Sequence, residues 1–235
     1  LRDRFSRSGD VADLEAAIDS LEVAVQASHS RIPAMEGQLT DLANLAVALS
    51  TRYRQTGDAV DLERAIDLGR QAVLSSSQRP QFFAHRLANL ESCLFDRHRR
   101  TGSLDDLEEA SGFLRNAVKV TPQDSPYAAG RMMSLAATLR ERFEHVADVV
   151  LLEEAVATLR HAAAQMSPMA PSYVLCQHNL GSALLTVYER SGRLNDLEEA
   201  LECFHAALNR GASGAPERTD SLCNVGIALL KLHIH

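Results

Sequence analysis

A short pattern recurs along the chain at nearly constant spacing, and this repetition restricts the possible folds more than any other feature. The pattern is Asp-Leu-Glu, with one degenerate copy, Leu-Leu-Glu. Its central leucines are Leu14, Leu62, Leu107, Leu152 and Leu197, so the steps between copies are 48, 45, 45 and 45 residues. A period of this length predicts stacked copies of one supersecondary unit, each of which buries its apolar face against its neighbours.

Two columns of small residues follow the triplet in every copy. They lie seven residues apart, which is two turns of an α-helix, so both columns face the same side. The first column is Ala17, Ala65, Ala110, Ala155 and Ala200, and the second is Ala24, Ala72, Ala117, Ala162 and Ala207. These columns predict one helix per repeat, here called helix B.

A second helix, helix A, is predicted from residues spaced four apart in the other half of each repeat. Its stripe has three columns: Leu45, Leu90, Leu135, Leu180 and Val225, then Leu49, Leu94, Leu139, Leu184 and Leu229, then Tyr53, His98, Phe143, Tyr188 and His233. We expect the first two columns to lie in the core.

Proline and glycine mark the two ends of helix A. Proline is tolerated in the first turn of a helix, and glycine adopts the left-handed conformation of a C-terminal cap. The prolines are Pro33, Pro80, Pro126, Pro171 and Pro216, and the glycines are Gly9, Gly57, Gly102 and Gly192, with Ala147 as the exception. The residues that follow predict the start of helix B, with Asp10, Asp58 and Ser103 as its cap and Asp13, Asp61 and Asp106 in its first turn.

Each repeat is therefore predicted to be a hairpin of two antiparallel helices of about 20 residues each. The composition agrees, because 46% of the residues are hydrophobic but only 5% are aromatic, with no Trp, which favours helices over a β-sandwich or barrel. We predict an all-α solenoid over residues 1–235, as a fragment of a longer array. Its approximate units are 1–30 (partial), 33–77, 80–121, 125–166, 170–210 and 215–235 (partial).

Charge, hydropathy and cysteine usage argue against several classes of partner. The net charge is −7, from 24 Lys and Arg against 31 Asp and Glu, which disfavours nucleic acid and anionic membranes. No apolar stretch approaches the roughly 20 residues of a membrane-spanning helix, and no signal peptide is visible. We expect free thiols in a reducing compartment, and hence a cytoplasmic protein, because no close pairing occurs among Cys93, Cys176, Cys203 and Cys223.

At the alanine and leucine columns the sequence resembles the tetratricopeptide repeat (TPR) superfamily. The segments LANLAVALSTRYRQTGDAVDLERAI and HNLGSALLTVYERSGRLNDLEEAL are similar to long-period TPR units of fungal and actinobacterial multidomain proteins, which often accompany a caspase-like CHAT protease domain or a nucleotide-binding signalling module. Their Asn-Leu core is also similar to kinesin light chain. The common TPR period is about 34 residues, so this spacing is a departure. The resemblance implies hairpins that stack into a right-handed superhelix, with helix A lining its concave groove.

The sequence contains no pattern typical of catalysis, so we predict no catalytic site, no cofactor and no metal site. Nucleophile, zinc and phosphate-loop motifs do not occur, and the recurrent glycines are explained as helix caps. Only His233 and His235 form a close histidine pair, and His98 takes the place of an aromatic core residue. The first-turn glutamates are explained as solvated residues favoured by the helix dipole, at Glu15, Glu63, Glu108, Glu153 and Glu198.

Asparagine recurs directly before the first leucine column of helix A, although it is a poor helix former. The column comprises Asn44, Asn89, Asn179 and Asn224, with Ser134 in the middle copy. Two explanations are open. The amides bond to a neighbouring helix and fix the stacking of repeats, or they bind a ligand, as helix A asparagines of TPR proteins commonly bind the backbone of an extended peptide.

Arginines accompany this column on helix A and suggest the charge of the ligand. Arg86 and Arg131 lie three residues before the column, and Arg52, Arg97 and Arg142 lie eight residues after it. In a chain of negative net charge, such clustering suggests a groove suited to an acidic segment or a C-terminal carboxylate. The alternative is that these arginines pair with acids of the repeats themselves, including Asp96 and Glu141.

We therefore expect a non-enzymatic protein-protein interaction scaffold that binds a peptide or partner segment in the groove. A second hypothesis is a regulatory array that acts by docking, or by self-association through its terminal hairpins, and controls an effector domain outside these residues. A third hypothesis, a small-molecule enzyme in the groove, has the least support. Peptide binding by a monomer would favour the first hypothesis, and concentration-dependent oligomers would favour the second.

Overall fold

The computed structural model of the chain describes residues 11–28, 36–74, 80–210 and 216–234. These residues form ten α-helices and no β-strand, which confirms the all-α prediction. The helices are α1 (Val11–Ser28), α2 (Glu36–Thr56), α3 (Ala59–Leu74), α4 (Pro80–Thr101), α5 (Leu104–Val120), α6 (Ala128–Val146), α7 (Val149–Gln165), α8 (Tyr173–Ser191), α9 (Leu194–Arg210) and α10 (Pro216–Ile234).

The chain divides into two compact units, Leu1–Thr121 and Pro122–His235. The first unit contains α1 to α5 and the second contains α6 to α10. Within each unit every helix packs against the next helix along the chain. Two-residue turns reverse the chain between helix A and helix B, so the helices form the predicted sequential antiparallel pairs. A single right-handed solenoid over residues 1–235 stays a prediction.

The predicted columns form the cores of both units. The triplet leucines, the first alanine column and the two leucine columns of α2, α4, α6 and α8 are all at most 4% exposed. Helix α10 differs, since Leu229 is 51% exposed and Leu222, Ile227 and Leu230 are also exposed. The described residues contain no helix after α10 that could cover this face.

Left-handed residues end helix A, as predicted. The backbone φ angle is 76° at Gly57, 74° at Gly102, 69° at Gly192 and 54° at Ala147. The N–H group of each residue donates to the carbonyl oxygen four residues before it. Ala147 therefore adopts a conformation that normally favours glycine, because the same turn is required there. Gly9 lies outside the described residues.

Aspartates cap helix B at two of the turns. The carboxylates of Asp58 and Asp148 accept hydrogen bonds from the N–H groups of Val60 and Val150, at 2.9 and 3.0 Å. Ser103 takes the cap position of α5 but makes no side-chain cap bond. The cap position was therefore predicted correctly at Asp58 and Ser103, of which only Asp58 makes the side-chain bond. Asp10 lies outside the described residues.

Proline stands at or just before the start of helix A. Helices α4 and α10 begin at Pro80 and Pro216. Pro126 and Pro171 instead lie two residues before α6 and α8, in the turns that precede these helices. These two prolines therefore precede helix A and do not lie in its first turn as predicted. Pro33 lies outside the described residues.

All four cysteines are free thiols, as predicted, with Cys93, Cys176 and Cys203 buried and Cys223 exposed. In the part of the chain that the structure describes, no helix is both long and apolar enough to cross a bilayer. Confinement to the cytoplasm stays a prediction.

Candidate functional site

A groove follows the line along which α2 and α4 lie side by side, and it consists of three cavities that share lining residues. The first cavity, of about 220 Å³, is lined by Thr40, Ala43, Asn44, Val47, His85, Arg86 and Asn89. The second, of about 60 Å³, shares Val47 and Asn89 with the first, and the third, of about 380 Å³, shares Arg54 with the second. We call this feature the α2/α4 groove.

The α2/α4 groove is long enough for an extended peptide segment. It follows α2 from Thr40 to Gly57, which is roughly 25 Å at a rise of about 1.5 Å per helical residue. An extended chain advances about 3.3 Å per residue, so a segment of about eight residues would span the groove.

Asn44 and Asn89, two members of the predicted column, line the first cavity and are partly buried. Asn44 has an interaction partner within the protein. The side-chain amide of Asn89 hydrogen-bonds to no other described residue. Asn89 also lines the second cavity, so its amide lies where the two cavities join.

Asn224 in the second unit makes the bond that Asn89 lacks. Its Nδ2 donates to Oγ of Ser182, 3.4 Å away, and so joins α10 to α8. The residue that corresponds to Ser182 on α2 is Val47, whose side chain has no hydrogen-bonding group. The architectural explanation of the column therefore fits Asn224. Asn179 is partly buried on α8, and its side chain hydrogen-bonds to no other described residue.

Arg52 and Arg97 bond to buried aspartates of helix B. Nε and Nη2 of Arg52 donate to Asp61, both at 2.6 Å, and the same atoms of Arg97 donate to Asp106 at 2.5 to 3.1 Å. Both aspartates are 2% exposed. These hydrogen bonds raise the pKa of both guanidinium groups. The two pairs join helix A to helix B, which is the pairing with repeat acids that the sequence left open.

The other predicted arginines have different surroundings. Arg86 is buried and lines the first cavity, where its Nη2 donates to Oγ1 of Thr40 at 3.4 Å. Arg131 lies over the ring of Tyr127, 5.5 Å from its centroid, and burial lowers the pKa of Arg131. Arg142 is partly buried on α6 and has an interaction partner within the protein.

The third cavity has a basic lining that the sequence analysis missed. Arg54, Arg99 and Arg100 line it together with Asp96. Arg54 bonds to Asp96 at 2.7 Å, and Arg100 bonds to Glu63 at 2.9 Å. Arg99 is exposed. Arg54 and Arg99 lie 45 residues apart on corresponding positions of helix A, so the repeat spacing could have revealed them.

The pair of Arg54 and Asp96, between α2 and α4, has a counterpart of reversed charge in the second unit. Oε1 of Glu189 on α8 accepts from Nζ of Lys231 on α10, at 3.0 Å. Glu189 and Lys231 each follow their counterparts by 135 residues, which is three predicted repeats. Both units therefore join neighbouring A helices by an ion pair at the same place, with opposite polarity.

No protein-family profile and no curated protein matches the chain. Solved structures do match. BtubC (BKLC) from P. vanneervenii has a TM-score of 0.62 and 16% identity, over 94% of this chain and 84% of that chain. A putative kinesin light chain of Podosopora anserina, with nearly identical TPR-like repeats, has a TM-score of 0.60 and 18% identity, over 88% of this chain and 91% of that chain.

YrrB, a TPR protein with an unusual peptide-binding site, has a TM-score of 0.54 and 16% identity, over 90% of this chain and 86% of that chain. At these identities the likeness shows the fold alone. The chain has the fold of TPR-like solenoid structures.

Proposed function

We propose that this chain is a protein-protein interaction module that binds an extended segment of a partner protein in the α2/α4 groove. The TPR-like fold supports a protein partner. The observation that carries the proposal is the partly buried amide of Asn89, which bonds to no described residue and lies where two cavities join. Because an amide both donates and accepts, it can bond to a peptide backbone whatever the side chains are.

The basic third cavity supports a preference for an acidic segment or a C-terminal carboxylate at that end of the groove. Arg54, Arg99 and Arg100 together outnumber Asp96 among its lining residues. We expect binding to weaken as salt is added, since screening acts on partly exposed charges. Arg52 and Arg97 then act indirectly by holding α3 and α5 in place. Ligand contacts of Asn179, Arg131 and Arg142 stay predictions, whereas for Asn224 the bond to Ser182 supports the architectural role.

The test compares asparagine variants for binding to peptides that the protein selects from a displayed library of acidic and neutral segments. We expect Asn89→Ala, alone or together with Asn179→Ala, to weaken binding by about tenfold with an almost unchanged melting temperature, because a backbone hydrogen bond is lost. Asn224→Ala is the matched control. It should lower the melting temperature, because Ser182 loses its partner, and leave peptide affinity unchanged.

The opposite pattern would contradict the proposal. If Asn89→Ala lowers the melting temperature and leaves the affinity intact, the whole column is architectural. The proposal assigns no catalytic role and no cofactor to the chain, and turnover that a single groove substitution abolishes would overturn it.

The free thiols support a reducing, cytoplasmic setting.

Self-association is a second candidate function, favoured by the exposed apolar side chains of α10. These are Leu222, Ile227, Leu229 and Leu230. Contiguous exposed apolar surface is typical of interaction sites. The resemblance to long-period units of multidomain proteins adds a regulatory role for such association, on an effector domain. Light scattering over a wide concentration range tests it. Oligomers that Leu230→Glu abolishes would support it, and a monomer at every concentration would reject it.

A further inference from the structure

The second unit contains an open cavity of about 500 Å³ that the groove proposal does not use. It lies between α7, α8 and the start of α9, and its lining includes Glu153, Val156, Val187, Arg193 and Asp196. These residues combine an apolar floor with a charged rim. The cavity is large enough for a side chain or a small molecule.

In the first unit, the corresponding place is filled by an arginine. The residues 90 positions earlier than Glu153, Val187 and Asp196 are Glu63, Arg97 and Asp106. Arg97 donates to both oxygens of Asp106 and, through Nη1, to Oε2 of Glu63 at 2.8 Å. Arg100 donates to Oε1 of Glu63 at 2.9 Å. All four carboxylate oxygens therefore accept hydrogen bonds.

In the second unit, both acids are retained but the arginine is replaced by Val187. Asp196 is 9% exposed, and its Oδ2 accepts a hydrogen bond from Nε of Arg193 at 2.7 Å. Its Oδ1 lies 4.0 Å from Nη2 of Arg160, and Oε1 of Glu153 lies 3.7 Å from Nη2 of Arg193. Both distances are too long for hydrogen bonds. Among the described side chains, only one of the four carboxylate oxygens therefore has a donor.

The charge of the cavity also favours a cation. Arg160 is held by Glu199 through two hydrogen bonds of 2.8 and 2.5 Å, so its charge is already balanced. Only Arg193 then remains to balance the negative charges of Glu153 and Asp196. One negative charge remains uncompensated. A guanidinium group carries several N–H donors in a fixed plane, which suits two neighbouring carboxylates better than a single ammonium point charge does.

We propose that this cavity binds the guanidinium group of an arginine side chain from a partner protein, in the place that corresponds to that of Arg97 in the first unit. Oδ1 of Asp196 and the carboxylate of Glu153 accept its N–H groups. Val156 and Val187 contact its aliphatic stem, while Arg193 keeps its bond to Oδ2 of Asp196. This site lies in the second unit and acts independently of the α2/α4 groove, so it adds a second point of partner recognition.

The experiment is a titration of the whole chain with N-acetylarginine N-methylamide, and separately with the lysine analogue at equal ionic strength. Binding is followed by the methyl NMR signals of Val156 and Val187. We expect saturable shifts with the arginine probe and a dissociation constant about tenfold higher for the lysine probe, because the planar guanidinium fork fits carboxylates better than the compact, strongly hydrated ammonium does. Val187→Arg should abolish the shifts of Val156, because the new side chain fills the cavity.

Two glutamate variants keep the test independent of folding. Glu153 is exposed, and Glu153→Gln should weaken binding of the arginine probe with an unchanged melting temperature. Glu198→Gln is the matched control, since Glu198 is an exposed residue of α9 that does not line the cavity, and it should have no effect. Equal responses to both probes, or an unchanged response of Glu153→Gln, would overturn the proposal. Neither outcome would bear on peptide binding in the α2/α4 groove.

Discussion

At the scale of single residues, the ion pairs between helix A and helix B are the contacts whose loss we expect to destabilise the protein most. Asp61 and Asp106 are almost completely buried, and each is held by an arginine nine residues earlier in the chain. A buried carboxylate without a partner is strongly destabilising, whereas its replacement together with the partner by apolar residues often costs little. In the repeat of α6 and α7 only the acid is replaced, since a buried leucine, Leu151, takes the aspartate position while Arg142 stands nine residues earlier.

We expect Arg97→Met to lower the free energy of unfolding by about 3–5 kcal/mol, because it leaves Asp106 buried and unpaired. The double variant Arg97→Met and Asp106→Leu should recover most of this loss. Urea denaturation of both variants, with Asp106→Leu alone to complete the cycle, measures the coupling between the two residues. Strictly additive effects would show that the pair contributes nothing as a pair.

Thiol reactivity gives a second prediction at this scale. Burial raises the pKa of Cys176 to about 11 and that of Cys203 to about 12, and it also raises the pKa of Cys93. Since burial disfavours the charged thiolate, only about a thousandth or less of the Cys176 and Cys203 thiols is ionised at pH 8. We expect one fast-reacting thiol in the native protein, the exposed Cys223, and four after denaturation, as measured with a chromogenic disulfide reagent. A second fast native thiol would contradict this.

Residue contacts are also where sequence reasoning was weakest. The columns located Asn89 and Arg97 on helix A, but spacing along one helix does not show which side chain of another helix each will meet. Asn89 and Asn224 occupy corresponding positions, yet they differ because the facing residue is Val47 in one case and Ser182 in the other. The basic end of the α2/α4 groove was missed because an arginine occupies this position of helix A in only two repeats, as Arg54 and Arg99.

At the scale of helices, close packing of helix A on helix B depends on residue size. A Cβ atom added at Gly181 of α8 would lie 2.7 Å from Cε1 of Phe204 on α9. A Cβ atom added at Gly130 of α6 would meet nothing within 4 Å. The two glycines therefore have different roles, although both lie inside A helices.

We expect Gly181→Ala to lower the free energy of unfolding by about 1–3 kcal/mol, because the aromatic ring must move. Gly130→Ala is the control and should raise stability by up to about 1 kcal/mol, since alanine has the higher helix propensity. Thermal unfolding followed by circular dichroism measures both. Effects of the same sign in the two variants would show that the close contact with Phe204 does not limit the packing.

Helices were more predictable than individual contacts because several signals agree on each of them. The alanine and leucine columns, the glycine caps and the Asp caps of helix B all indicate the same boundaries. Ala147 had no such local signal, yet its φ angle is 54°. The geometry of the surrounding hairpin therefore overrides the preference of the residue at that turn.

At the scale of the whole molecule, both compact units are built on the same buried columns. Leu90 in the first unit and Leu180 in the second occupy corresponding positions on helix A, and both are buried. Each contributes to the core between a helix A and its neighbours. The repeating pattern predicted these cores but treated all boundaries between repeats alike, so it did not predict that contacts divide the chain after Thr121.

We expect Leu90→Ala and Leu180→Ala each to lower the free energy of unfolding by about 2–5 kcal/mol, because each leaves a cavity in its unit. Leu74 is exposed, and Leu74→Ala should change stability by less than about 0.5 kcal/mol. The far-ultraviolet spectrum of all three variants should remain helical. Unchanged melting temperatures for the two core variants would contradict the assignment of these columns.

The reversed ion pair between neighbouring A helices has a consequence for the fidelity of folding. Similar hairpins in one chain can exchange partners, and such misassembly is a characteristic failure of repeat proteins. If α2 paired with α10, Arg54 would meet Lys231, and if α8 paired with α4, Glu189 would meet Asp96. Both wrong pairings bring like charges together, whereas both native pairings bring opposite charges together. The change of sign along the chain therefore penalises the exchange of these otherwise interchangeable helices.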